Sequence, residues 1–142
     1  MTPTLRSALI GAMYGSVAVV GAFGLMVVLG MIPKAPFTAQ WQELAGGGWL
    51  LATVLGGLTF VAIGTLWGAP FAWVPRPTMG KAWLWAIVPT LWAVWAWPAL
   101  TGKPTFAGGD PVGLLIPVVM NVVIWGSILG WVVTRAAPSP AS

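Results

Sequence analysis

Long stretches without a charge alternate along the chain with short polar segments. Four apolar runs stand out, at residues 7–32, 48–74, 82–100 and 113–134. A hydrocarbon core about 30 Å thick needs about 20 apolar residues as helix, and each run supplies that length. Backbone groups in lipid must find partners within their own segment, so each run is read as helical despite its glycines and prolines. A membrane barrel would show alternating polarity in segments of about ten residues, and no such pattern occurs. The expected fold is all-α: a single domain over residues 1–142, built as an integral membrane four-helix bundle.

Composition strengthens this picture. Of 142 residues, 58% are hydrophobic and 6% charged, where a soluble domain carries roughly 25% charged residues. The formal charge is +4, but the basic residues are scattered over separate segments and form no stripe, so nucleic acid is not an expected partner. The first run could serve as a signal peptide, with Arg6 before it and small residues at Ala22–Gly24. Its apolar stretch exceeds the roughly 7–15 residues of such a region, and it is expected to stay uncleaved. Arg6, Arg76, Lys81 and Arg135 fall on one side of a four-span chain, and Lys34 and Lys103 on the other. The positive-inside rule then puts both termini in the cytoplasm, as a multi-pass protein of a bacterial inner membrane.

Small residues mark the expected helix contacts, because lipid tails are as apolar as leucine and helices associate through close approach. Ser7, Gly11, Gly15, Ala18 and Ala22 form one stripe, Thr53, Gly57, Gly64 and Gly68 a second, and Gly126 with Gly130 a third. Pro89 lacks an amide and crowds the carbonyl of Trp85, which predicts a bend in the third helix; Pro117 lies near a helix start and is expected to matter little. The stretch VAIGTLWGAPFAW (61–73) aligns with VMNVVIWGSILGW (119–131) at Val61/Val119, Trp67/Trp125, Gly68/Gly126 and Trp73/Trp131, and KAPF echoes KPTF in the intervening loops. Two parallel helical hairpins would explain that repeat, as occurs in some transporters.

Residues 83–98 read WLWAIVPTLWAVWAWP, with five tryptophans and two prolines. Trp41, Trp49, Trp73, Trp83, Trp97 and Trp131 fall near helix ends, where aromatic belts form. At 100° per residue, Trp85, Trp92 and Trp95 lie within about 80° on one face. Thr59, Thr90 and Asn121 each sit near the middle of a different helix. Polar groups at that depth face protein or a cavity. The expectation is a bond between Asn121 and Thr90 across the bundle, with Trp92 near by. That cluster is either a packing contact or a site for a flat apolar ligand such as a quinone, a carotenoid or a lipid tail.

What the chain lacks narrows its chemistry. It has no cysteine and no histidine, which removes thiol chemistry and the usual base near neutral pH. No acid lies inside a run, whereas proton relays and cation-coupled carriers place one there. Glu43 and Asp110 lie in the loops opposite the termini and are expected to pair with Lys34 or Lys103; Asp110 is also placed to cap a helix that Pro111 opens. The chain is therefore read as no enzyme, with no metal and no predicted cofactor.

The segments TLWGAPFAW (65–73), GKAWLWA (80–86), PALTGKPTF (98–106) and VVIWGSILGW (122–131) make the chain resemble small bacterial four-span inner-membrane proteins of unknown function, loosely YagU-like. The likeness covers most of residues 7–134 and implies topology, not activity. Related proteins often carry a histidine in the last helix, and this chain has none, so no role tied to it carries over.

The leading expectation is a non-catalytic accessory or structural subunit that packs against a larger membrane complex, of the electron-transfer or light-harvesting kind. Two rivals stand beside it: a small oligomeric pore or carrier for a neutral solute, and a binder of an apolar ligand. The bilayer, a larger complex or a homo-oligomer are the expected partners. The Pro/Ser tail at 138–142 is expected to be mobile unless a partner pins it.

Overall fold

Apolar runs bounded by glycine, proline and capping side chains fold as helices, and the computed structural model describes residues 3–136 accordingly. The tail at 138–142 lies outside the described residues. Among those residues no strand occurs. Four stretches are long and apolar enough to cross a membrane, Thr4–Val28, Trp49–Trp73, Met79–Leu100 and Pro111–Ala136, which is consistent with a multi-pass membrane protein.

Helix α1 covers Pro3–Val28. It stops short of the expected Ile32 because Gly30 adopts φ +71°, a left-handed conformation that glycine takes at no steric cost. The amides of Gly30 and Met31 then reach back to the carbonyls of Val27 and Met26 at 3.0 and 2.9 Å. These two bonds satisfy carbonyls that the helix end would leave unpaired, the glycine-terminated arrangement common at such ends. The charge-free run carried on past this point, so hydropathy alone overran the helix.

The segment between the first two spans is itself helical. Helix α2, Pro36–Ala45, has proline in its first turn and ends at Gly46, φ 70°. Its Phe37, Trp41 and Leu44 recur at helical spacing, and Phe37 is buried. The Phe37 ring meets Phe23 edge-on at 6.3 Å and Phe60 at 5.8 Å. Helix α3, Trp49–Gly68, follows, and a tight 3-10 turn over Ala69–Trp73 buries Phe71. Thr38 and Thr53 share a hydrogen bond of 3.1 Å that fixes α2 to α3.

The third span opens at Thr78, whose hydroxyl accepts the Lys81 amide at 3.2 Å. Helix α4, Met79–Leu91, contains Pro89 and gives way to a π-helical stretch, Trp92–Ala96, and then to the short helix α5, Trp97–Leu100. The fourth span begins with Asp110 accepting the Gly113 amide at 2.8 Å, the expected cap, with Pro111 behind it. Helix α6, Pro111–Val118, carries Pro117 and runs into an eight-residue π-helical stretch, Val119–Gly126, before α7, Ser127–Ala136. Pro117 therefore matters more than its position near the helix start suggested. Each proline removes one amide from the ladder, and the wider turn beyond it lets the neighbouring carbonyls find other donors.

Two hairpins make the same contact. Ala8, Ala12 and Ser16 line one face of α1 and are fully buried. Gly68 sits on them; a methyl there would overlap the Ala12 Cβ and stand 2.9 Å from the Ala8 carbonyl oxygen. Ala82, Ala86 and Thr90 repeat that spacing on α4, and a methyl at Gly126 would stand 3.0 Å from the Ala86 Cβ. Ser16 donates to the Ala12 carbonyl at 2.8 Å, and Thr90 donates to the Ala86 carbonyl at 2.8 Å. The Trp-Gly pairs aligned in the sequence thus occupy matching places.

The hairpins meet along one seam. Gly11 and Gly15 of α1 lie against Leu129 and Trp125 of the fourth span, while within the second hairpin Gly130 lies against Met79 and Ala82 of α4. On the second span, besides Gly68, close approach falls at Gly56, which abuts the Phe37 backbone, and at Gly64, which abuts the Ser16 hydroxyl. Gly57, expected to mark the contact, only faces the Phe37 ring at an ordinary 3.6 Å. Helices α3 and α4 do not pack along their lengths. The spatial order is therefore second, first, fourth and third span, with an open seam between second and third.

Candidate functional site

The open seam leads into a cavity of about 530 Å³ lined by all four spans and by α2. That volume lies within the range of small-molecule pockets, about 300–1,000 Å³. Its deep end is built by Ser16, Gly64, Trp67 and Trp125. Trp125 is buried, and its indole N–H donates to the Ser16 hydroxyl at 3.1 Å. Gly64 lets that hydroxyl sit against α3, because any Cβ there would occupy the hydroxyl's place. Trp85 closes the end beyond, donating its indole N–H to the Trp67 carbonyl at 2.8 Å.

The walls are apolar and aromatic, with Phe23, Phe60, Ile63 and Trp92 among them. Pro89 and Pro117, and residues from both π-helical stretches, also line the cavity. The widened turns therefore shape this site. At the other end, α2 contributes Gln40, Trp41 and Leu44, and among the described residues Lys34 is the one charged member of the lining. Lys34 donates to the Gln42 side chain at 3.1 Å. Glu43 of α2 forms an ion pair with Lys103 of the loop before α6, tying together the two segments that flank this end.

The structure separates the residues that the sequence grouped. Thr90 does not bond Asn121. Its hydroxyl turns back to the Ala86 carbonyl, the usual recourse of a threonine within a helix. Trp85, Trp92 and Trp95 do not form one wall. Trp85 packs against the core and reaches across to the second span. Trp92 lines the cavity, 44% exposed, whereas Trp95 is 55% exposed and lines no part of it. The π-helical turn from Trp92 onward breaks the 100° spacing on which the shared face depended.

Asn121 does line the cavity, and its carboxamide makes no hydrogen bond with any described residue. The Trp67 indole N–H and the Thr59 hydroxyl, also in the lining, share that property. In water these groups would be solvated. None of the three is sealed within protein, Thr59 being exposed and Trp67 and Asn121 half-buried, so each is free to bond whatever enters the cavity. Sequence reasoning missed Ser16, the acceptor that organises the deep end. Its signal was a lone hydroxyl four residues beyond Ala12, the same spacing that Thr90 keeps from Ala86. Set beside known protein families, curated proteins and solved structures, the chain matches none.

Proposed function

We propose that the protein is a non-catalytic, membrane-embedded binding protein that takes an apolar molecule from the lipid phase into the cavity between its second and third spans. The observation that carries this reading is the unpartnered Asn121 carboxamide on a lining that is mostly apolar and aromatic. A packing cluster would have paired that group. Four helices long and apolar enough to cross a membrane support a bilayer setting; the basic residues favour both termini in the cytoplasm, and a bacterial inner membrane in the manner of the YagU-like proteins it resembles.

A second reading keeps the accessory subunit of a larger electron-transfer or light-harvesting complex, alone or as a homo-oligomer. It rests on Trp83 and Trp95, exposed on the third span at 45% and 55%, which would lie against a partner. The two readings are compatible if the bound molecule serves that complex.

Native mass spectrometry after mild detergent extraction from the source membrane separates them. One extractable small molecule per chain supports the binding reading. A large hetero-complex whose subunit carries no adduct supports the accessory subunit instead. A homo-oligomer without adduct that conducts a neutral solute in liposomes supports the pore and contradicts the binding reading.

A further inference from the structure

The two hairpins can be superposed in the mind by their shared contacts, Ala8-Ala12-Ser16 with Gly68 and Ala82-Ala86-Thr90 with Gly126. Under that correspondence the seam between first and fourth spans is equivalent to the seam between third and second. The first seam is closed, and its key bond runs from the Trp125 indole N–H to the Ser16 hydroxyl. The equivalent bond would run from Trp67 to Thr90. It is not made: the helices stand apart there, and the Trp67 N–H has no acceptor among the described residues. The cavity is thus the open twin of a closed contact, and no oxygen reaches the Trp67 N–H as the Ser16 hydroxyl reaches that of Trp125.

We infer, resting on the binding reading above, that the ligand supplies this oxygen: a neutral flat ring bearing carbonyl groups on an apolar tail, of the quinone class. The ring lies at the deep end, where Asn121 and Trp67 offer N–H donors. Aromatic side chains of Trp92, Trp125 and Phe60 give it faces to stack on. The tail leaves through the open seam past Ile63, which is exposed to the surroundings of the second span. A pure hydrocarbon, such as a carotene or the end of an acyl chain, offers those donors nothing. A phospholipid headgroup carries charges that stay at the interface, and no described charged residue lines the deep end to draw one inward.

The test uses the full chain in zwitterionic nanodiscs, with a decyl-substituted dimethoxy-methyl-benzoquinone as probe and decylbenzene as its oxygen-free counterpart. Quenching of tryptophan emission reports the quinone, and displacement reports decylbenzene. The quinone is expected to bind saturably at one per chain. Asn121→Leu and Trp67→Phe should each weaken it about 3- to 10-fold, the worth of one hydrogen bond, and leave decylbenzene unaffected. Both variants keep an apolar or aromatic bulk at their positions, and their thermal unfolding without ligand confirms folding. Equal affinity for both probes, unchanged by either variant, would overturn the inference while leaving cavity binding intact. Quenching that never saturates, with no displacement by decylbenzene, would overturn the cavity-binding reading itself and the inference with it.

Discussion

Replacing Gly68 by alanine tests the contact on which each hairpin is built. A methyl on Gly68 would overlap the Ala12 Cβ and come within 2.9 Å of the Ala8 carbonyl oxygen. Both obstacles belong to the backbone or sit one bond from it, so no side-chain rotation relieves them. The first and second spans must separate, and overpacking of this kind costs about 1–3 kcal/mol. Alanine recovers up to about 1 kcal/mol of helix propensity. A net loss of up to about 2 kcal/mol is expected. The matching change Gly126→Ala is milder, because its methyl would stand 3.0 Å from the Ala86 Cβ and 3.4 Å from the Ala82 carbonyl oxygen. Gly21→Ala serves as control, since nothing lies within 4 Å of a methyl there; it is expected to be neutral or slightly stabilising. Thermal unfolding in a mild detergent, followed by tryptophan emission, ranks the three variants. Gly68→Ala melting no lower than Gly21→Ala would refute the close-contact reasoning.

Three further outcomes follow from the same geometry. Trp125→Phe removes the N–H bonded to Ser16 and keeps most of the ring, so it should lower stability by about 0.6–1.7 kcal/mol in the same melting assay. Asn121→Leu should leave the ligand-free protein as stable as the parent, or more so, because it removes a polar group that no described residue satisfies; a clear drop would show that Asn121 is paired after all. Lys103→Ala breaks the ion pair with Glu43, whose side chains are 49% and 36% exposed. The loss should stay below about 1 kcal/mol and shrink further in high salt, as melting at two salt concentrations would show.

Hydropathy made the spans legible because length and absence of charge are all that crossing a membrane requires. It misjudged the end of α1, where Gly30 stops the helix by backbone conformation alone while the apolar residues continue to Ile32. It also treated residues 36–45 as loop. The apolar positions Phe37, Trp41 and Leu44 carried the helical signal, but glycines and polar residues around them obscured it. The site was half legible. Asn121 stood out as the most polar residue within any span, and it does line the cavity. Its partner was misassigned, because face assignments assumed a regular helix and both the third and fourth spans change register after a proline. The cavity itself could not be read from any residue. It arises because two helices that the internal repeat would bring together stay apart.

The central claim is that the seam between the second and third spans stands open around a bound molecule. A crystal structure of the full chain grown from a lipidic mesophase tests it most directly. The account predicts α3 and α4 apart, with continuous non-protein density running from Asn121 and Trp67 out through the gap. The contrary result is a closed ring of helices in which the Trp67 indole N–H donates to the Thr90 hydroxyl and no cavity remains.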